Sequence, residues 1–317
     1  MKKILALFLA AVMLIGMAAC SKNEKTGVTV NIGVLKGPTG MGAAWLMDQN
    51  EQGLSANSYN FTIAGAPDVL TGQLISGDMD MAALPTNAIS TLYNKTEGKI
   101  TVLGVNALGV LYVLENGDRI NSVADLEGKT ILASGQGSTA EYVLNYILEQ
   151  NGVSAEIFWA SEHSEAATLA LSGEYDIVML PEPFVTTVTT KNGSFRVALD
   201  LTREWEALGG GELTMGGIAA RTEFLEAHPD AVKAFVKEYA NSVAFTNAQP
   251  ADAAKLIAKY EIAAEEIAKN AIPRCNIVWL HGENYKAKLE NFLGVVYEAN
   301  PAGIGGKMPG DDFYQSY

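Results

Sequence analysis

Residues 76–91, SGDMDMAALPTNAIST, and residues 172–187, SGEYDIVMLPEPFVTT, superimpose at a constant offset of 96 residues, pairing Ser76 with Ser172, Gly77 with Gly173, Asp80 with Asp176, Leu84 with Leu180 and Pro85 with Pro181. Each copy reads as a helix end closed by glycine, a buried strand opened by aspartate, and a proline that stops the strand where the next helix begins. A looser pair accompanies them: VLKGPTGMG before an early helix resembles ILASGQGSTAEY before a later one. The glycine loops alone are explained by the general likeness of strand-to-helix junctions. The longer echo predicts two similarly built α/β lobes.

The rest of the chain fits that frame. Short apolar runs rich in Val and Ile alternate with stretches of helical period, the pattern of an α/β protein with mainly parallel strands. The expected strands are 29–35, 59–66, 80–85, 100–105, 129–134, 155–160, 175–181 and 195–201. Late in the chain, DAVKAFVKEYANSVAF and ADAAKLIAKY read as amphipathic packing helices. With 317 residues, 48% of them apolar, the chain is long enough for two cores. In open parallel sheets ligands gather beyond the carboxyl ends of the strands, and all four echoed loops belong to that edge. If the lobes face each other, these loops line one cleft. The stretch GVLKGPTGMG is neither a P-loop nor a dinucleotide fingerprint, since it has G-x-x-G-x-G and no lysine after the last glycine. Its glycines instead let backbone N–H groups at a helix start approach a ligand, with Thr39 as a cap or hydroxyl donor.

The net charge of −14, with no basic run to offset it, argues against nucleic acid as a partner. The opening MKKILALFLAAVMLIGMAAC has a basic start, an apolar stretch from Ile4 to Met17 and small residues before Cys20, so it reads as an export signal too short to span a bilayer comfortably. MAAC resembles the lipobox of bacterial lipoproteins, which implies a signal peptide over 1–19, lipid on Cys20 and a polar tether to residue 27; an ordinary secretory signal or a short anchor helix is the alternative. Cys275, among apolar residues, is expected to be a buried structural thiol. His163, His228 and His281 are scattered, without H-E-x-x-H or paired cysteines, so neither a metal site nor a cofactor is expected.

At ADLEGKTILASGQGST (124–139) and SGEYDIVMLPEPFVT (172–186), taken with GVLKGPTGMG and the lipobox, the chain resembles substrate-binding proteins of ABC importers, most of all the branch that binds nitrate, alkanesulfonates, taurine and thiamine precursors. The resemblance implies a type II periplasmic-binding-protein fold, two α/β lobes joined by two hinge strands. It places residues 28–108 and 217–317 in a discontinuous first lobe and 109–216 in the second. The expected crossing strands are 106–114 and 212–220, where Gly109, Gly216 and Gly217 supply backbone freedom or mark bulges. It further implies a monomeric, lipid-tethered extracytoplasmic receptor that presents a small molecule to a membrane permease.

Matched to the family's cleft loops, one wall would use Thr39, Gly40, Met41, Thr86 and Asn87, with Asn106 near the hinge. The other would use Gln136, Ser138, Thr139, Glu182 and Phe184, with Thr214 on the returning strand. Thr39, Thr86, Asn87, Ser138 and Thr139 are equally good helix caps, so each has a structural reading beside the functional one. No arginine falls in these walls and only Lys36 is nearby, which weighs against bidentate capture of an anion without removing helix N-termini as anion holders. Glu182 would favour a cationic or N–H-rich group, and Phe184 and Trp45 a ring, so a neutral or nitrogen-containing aromatic solute is the reading favoured over a sulfonate- or nitrate-type anion. The competing class is an enzyme on the same fold, as in thiamine or menaquinone synthesis, against which the export signal argues. An adhesion or sensor protein is the third class, and no repeat array or stalk supports it.

Overall fold

A computed structural model describes residues 25–317; the leader and Cys20 lie outside the described residues. The chain first lays down β1 (Thr29–Leu35), α1 (Pro38–Glu51), β2 (Ser58–Ala64), α2 (Pro67–Ser76), β3 (Met81–Pro85), α3 (Thr86–Lys95) and β4 (Ile100–Ala107). It then builds β5 (Leu111–Asn116), β6 (Thr130–Ser134), α4 (Thr139–Gln150), β7 (Glu156–Ala160), α5 (His163–Ser172), β8 (Ile177–Pro181), α6 (Phe184–Lys191), β9 (Phe195–Asp200) and α7 (Leu201–Ala207). The last third adds β10 (Gly216–Arg221), α8 (Thr222–Ala227), α9 (Pro229–Ala248), α10 (Pro250–Lys259), α11 (Glu265–Ala271), β11 (Ile277–His281) and α12 (Lys286–Ala299).

Two sheets result, ordered β11-β4-β10-β3-β1-β2 and β7-β6-β8-β5-β9. In the first, β1 runs parallel to β2 and β3, and β10 lies antiparallel between β3 and β4. In the second, β6 runs parallel to β7 and β8, and β5 lies antiparallel between β8 and β9. The arrangement is reciprocal: each sheet receives, next to the third strand of its parallel unit, the strand that has just crossed from the other. Sheet membership changes within 108–110 and again within 208–215, so two short connections join the lobes.

The sequence echo is a structural one, and it extends further upstream than the quoted stretches. Helix α2 ends at Ser76 and α5 at Ser172, and β3 and β8 occupy 81–85 and 177–181, all at the same offset of 96. Gly77 and Gly173 close their helices at φ 86° and 84°, the left-handed conformation that a Cβ would strain. The eight expected strands are all present, to within two residues at each end. β11, in the NIVWLH stretch, was not anticipated; it forms an edge strand against β4.

The crossing glycines correct one expectation. None of Gly109, Gly216 and Gly217 has a positive φ. A Cβ on Gly109 would collide with the Thr202 side chain, one on Gly216 would stand 2.9 Å from Asn106 Oδ1, and one on Gly217 2.9 Å from the Gly104 carbonyl oxygen. They permit close packing, and the register shift between Gly216 and Gly217 marks a bulge. Backbone freedom sits earlier in the return connection, at Gly209 and Gly211 with φ 79° and 70°.

Behind the hinge the lobes share apolar contacts. Trp205 of α7, fully buried, packs between Tyr146 of α4 and Phe292 of α12, with ring centroids 4.9 and 5.6 Å away. The C-terminal segment is sewn to the first sheet: the Gln315 N–H donates to the Val102 carbonyl, the Tyr285 hydroxyl to the Gln315 carbonyl, and Phe313 is buried. Cys275 is buried against Met41, Sγ to Sδ 3.8 Å, and burial pushes its thiol pKa well up, so it is an inert core thiol.

Candidate functional site

Six strand ends point at one another. The loops after β1, β2 and β3 of the first sheet and after β6, β7 and β8 of the second, with the two crossings, line a single cleft of about 470 Å³. Parallel strands followed by helices place every such loop on one sheet edge, and the reciprocal crossings bring the two edges face to face. The first wall carries Lys36, Thr39, Gly65, Asp68 and Pro85, and the second Gln136, Ser138, Trp159, His163, Glu182 and Phe184. Ala107, Val110 and Met215 form its floor at the crossings.

Of the expected site residues, Thr39, Gln136, Ser138, Thr139, Glu182 and Phe184 line this cleft. The other six lie behind its wall. Met41 is fully buried in the first lobe's core. Gly40 abuts β1, where a Cβ would stand 2.5 Å from the Leu35 carbonyl oxygen. Thr86 donates its hydroxyl to the Thr214 carbonyl at 2.6 Å, which ties the end of β3 to the return crossing. Asn87 donates across the lobes to the Gly137 carbonyl at 3.2 Å and to Gly303 at 3.1 Å. Asn106 donates to the Tyr239 hydroxyl at 3.0 Å. Trp45, a proposed ring partner, stacks on Phe245 of α9 with centroids 5.6 Å apart.

The loops present backbone donors. Helices α1, α2 and α5 begin without a side-chain cap, so first-turn N–H groups remain for water or a solute. Helix α4 is capped by Ser138, whose hydroxyl accepts from the Ala140 N–H at 3.3 Å and donates to the Gly135 carbonyl at 2.6 Å. The Thr39 hydroxyl accepts from the Leu35 N–H at 3.2 Å, which closes the β1–α1 turn, and its own proton has no acceptor among the described residues.

The charges are partly settled before any solute arrives. Glu182, fully buried, takes Arg274 Nε on Oε1 at 2.7 Å, and the Thr186 N–H and hydroxyl on Oε2 at 3.0 and 2.8 Å. Arg274, from the turn before β11, also donates to Thr186 Oγ1 at 2.8 Å. Arg274 is not itself a lining residue of the cleft, and its charge is committed to Glu182. Among the described residues Lys36 has no ion-pair partner. His163 Nδ1 lies 2.6 Å from Ser134 Oγ, and burial pushes its pKa down to about 4, so the ring is uncharged at neutral pH. Its ring packs on Phe184, centroids 5.5 Å apart and planes tilted by 49°.

Trp159, His163 and the Gly65–Asp68 loop were missed from sequence. The signal was present: β2 ends at Ala64 and β7 at Ala160, again 96 apart, so carrying the echo one strand upstream adds both loops to the cleft.

The structure resembles an ABC transporter protein from Parabacteroides distasonis (22% identity, 91% of this chain and 99% of that one, TM-score 0.76). It also resembles the periplasmic aliphatic sulphonate binding protein of Escherichia coli (18%, 91% and 92%, 0.71) and the alkanesulfonate-binding protein of Xanthomonas axonopodis pv. citri bound to MOPS (17%, 89% and 95%, 0.69). At these identities the likeness is one of fold, the two-lobed periplasmic-binding-protein architecture. No curated protein matches the chain significantly. The sequence model of the family described as NMT1/THI5 like matches residues 64–253, more than half of the chain, and the chain belongs to that family.

Proposed function

We propose that this protein is the solute-binding receptor of an ABC importer: it takes up a small molecule between its lobes and hands it to a membrane permease. The observation that carries this reading is the single cleft lined by six strand-end loops, three from each sheet, with two short connections between the sheets among the described residues. A solute touching both walls favours the closed form by the contacts that it makes with the two lobes at once. The lobes are residues 28–108 with 217–317, and 109–216. Export through the leader, lipid attachment at Cys20, an extracytoplasmic position and a monomeric state complete the proposal and rest on the MAAC pattern and on the fold.

The favoured solute is neutral or a nitrogen-containing aromatic. Trp159, Phe184 and an uncharged His163 give the second wall a ring-binding character, and the Glu182 charge is already matched by Arg274. An anion of sulfonate type is the second reading, supported by Lys36 and the uncapped helix starts; two of the similar structures are named as sulfonate binders. An enzyme is disfavoured by the state of the hydroxyls: Ser134 is fully buried and Ser138 spends its proton on Gly135.

Thermal-shift screening against heterocycles, sulfonates and amines, followed by small-angle scattering and product analysis on each hit, tests the proposal. A receptor shows stabilisation and a smaller radius of gyration with the solute recovered unchanged. Turnover of the hit, or binding without change of shape, counts against it.

A further inference from the structure

One polar side chain in the cleft has its hydrogen-bonding state decided by the fold. Ser134 ends β6 with no exposed surface, and its hydroxyl makes one recorded hydrogen bond among the described residues, the 2.6 Å contact with His163 Nδ1. A hydroxyl carries one proton and accepts through its lone pairs. Were Nδ1–H the donor, the Ser134 proton would be buried without an acceptor, a desolvation loss that nothing offsets. Donation from Ser134 to an unprotonated Nδ1 satisfies both atoms. A neutral imidazole in that state bears its proton on Nε2.

The Nε2 edge is free to act. His163 lines the cleft, and its Nε2 has no partner among the described residues, yet it is not among the sealed, unsatisfied atoms. The ring is held twice, by Ser134 on one edge and by Phe184 at 5.5 Å. Its position at the first residue of α5 places it just after the end of β7.

We propose that His163 is a specificity-determining residue of the cleft: an uncharged Nε2–H donor, fixed in that tautomer by Ser134, that selects a solute carrying a hydrogen-bond acceptor on a planar ring packed near Phe184. The inference rests on the receptor reading and narrows it. Because the donor is neutral, a ring nitrogen or carbonyl oxygen suffices and no anionic charge is required. A solute turning an N–H toward this position meets donor against donor and is rejected, since both groups lose water without gaining a partner. Lys36 and the starts of α1 and α2 lie on other loops, so they can orient further polar groups without altering this choice.

Long-range nitrogen-15 spectra of the histidines in the ligand-free protein read the tautomer without any solute. The expected result is a pyrrole-like Nε2 and a pyridine-like Nδ1 for His163, with a tautomer mixture in Ser134→Ala. The opposite tautomer, or an imidazolium at neutral pH, overturns the assignment. Quinoline and nicotinamide serve as acceptor-bearing probes, with naphthalene and indane as ring controls lacking the acceptor. An acceptor probe that binds the wild type is expected to lose about tenfold in affinity in His163→Phe, which keeps a ring, and less in His163→Gln, which keeps a donor. Equal affinity in all three proteins, or preference for the acceptor-free controls, overturns the proposal. Lobe closure on a non-aromatic solute with no probe binding also overturns it, and leaves the receptor reading standing. Absence of closure with every solute removes the receptor reading, while the spectra still decide the tautomer.

Discussion

Arg274 Nε stands 2.7 Å from Glu182 Oε1, although 92 residues separate them in sequence. The arginine belongs to the turn before β11 in the first sheet and the glutamate to the loop after β8 in the second, so the pair spans the lobes beside the cleft. Arg274 is half exposed and Glu182 fully buried. A buried carboxylate needs its partners, and Glu182 has three donor groups arranged around it.

Arg274→Met is therefore expected to destabilise the protein by about 2 kcal/mol, because it leaves the buried carboxylate with the two Thr186 donors and no counter-charge. Scattering should show a larger radius of gyration in the ligand-free variant, as one interlobe tie is gone. Adding Glu182→Gln should recover part of the lost stability in a double-mutant cycle. Additive losses with an unchanged radius would mean that the pair does not hold the lobes.

Of the four tryptophans, Trp159 is the one that lines the cleft; Trp45 stacks on Phe245, Trp205 is buried between the lobes, and Trp279 packs edge-on against Tyr239. A bound solute should change tryptophan emission chiefly through Trp159, the one indole it can touch. Trp159→Phe is expected to abolish most of the ligand-induced signal while calorimetry still detects binding. Retention of the full signal would place the solute elsewhere.

Two glycines separate close approach from chain flexibility. Gly40→Ala puts a methyl 2.5 Å from the Leu35 carbonyl oxygen, a backbone atom that cannot rotate away, so a loss of about 2 to 3 kcal/mol is expected in denaturant titration. Gly72 lies within α2 with nothing within 4 Å of an added Cβ, so Gly72→Ala should stabilise by about 0.5 to 1 kcal/mol. The same direction of change in both variants would refute the packing explanation.

The depressed pKa of His163 has a thermodynamic consequence. Between about 4, the folded value, and 6.5, the ordinary one, the unfolded chain holds a proton at this site that the folded chain does not. Unfolding is then favoured by acid: the contribution is fully present above pH 6.5 and is lost as pH falls toward 4, by up to about 3 kcal/mol. Wild type and His163→Phe compared by thermal melts across that range should diverge at neutral pH and converge on acidification. Parallel curves would show that His163 titrates normally in the fold.

The sequence by itself determined the architecture of this protein. Strand and helix periods, and punctuation by Gly77, Pro85, Gly173 and Pro181, are local properties that each segment expresses almost regardless of its neighbours, which is why the strands and the echo at 96 residues were legible. Only the tertiary structure decided which way each residue at a loop faces and whom it meets. Thr39 and Phe184 turn to the cleft while Met41 turns to the core, because packing of a helix on its sheet sets the rotation of its first turn. Asn87, Asn106 and Glu182 looked free in the sequence and are bonded to groups at Gly303, Tyr239 and Arg274, more than 90 residues away in each case. Such pairings depend on how the two sheets are brought together, and that geometry belongs to the whole chain and to no segment of it.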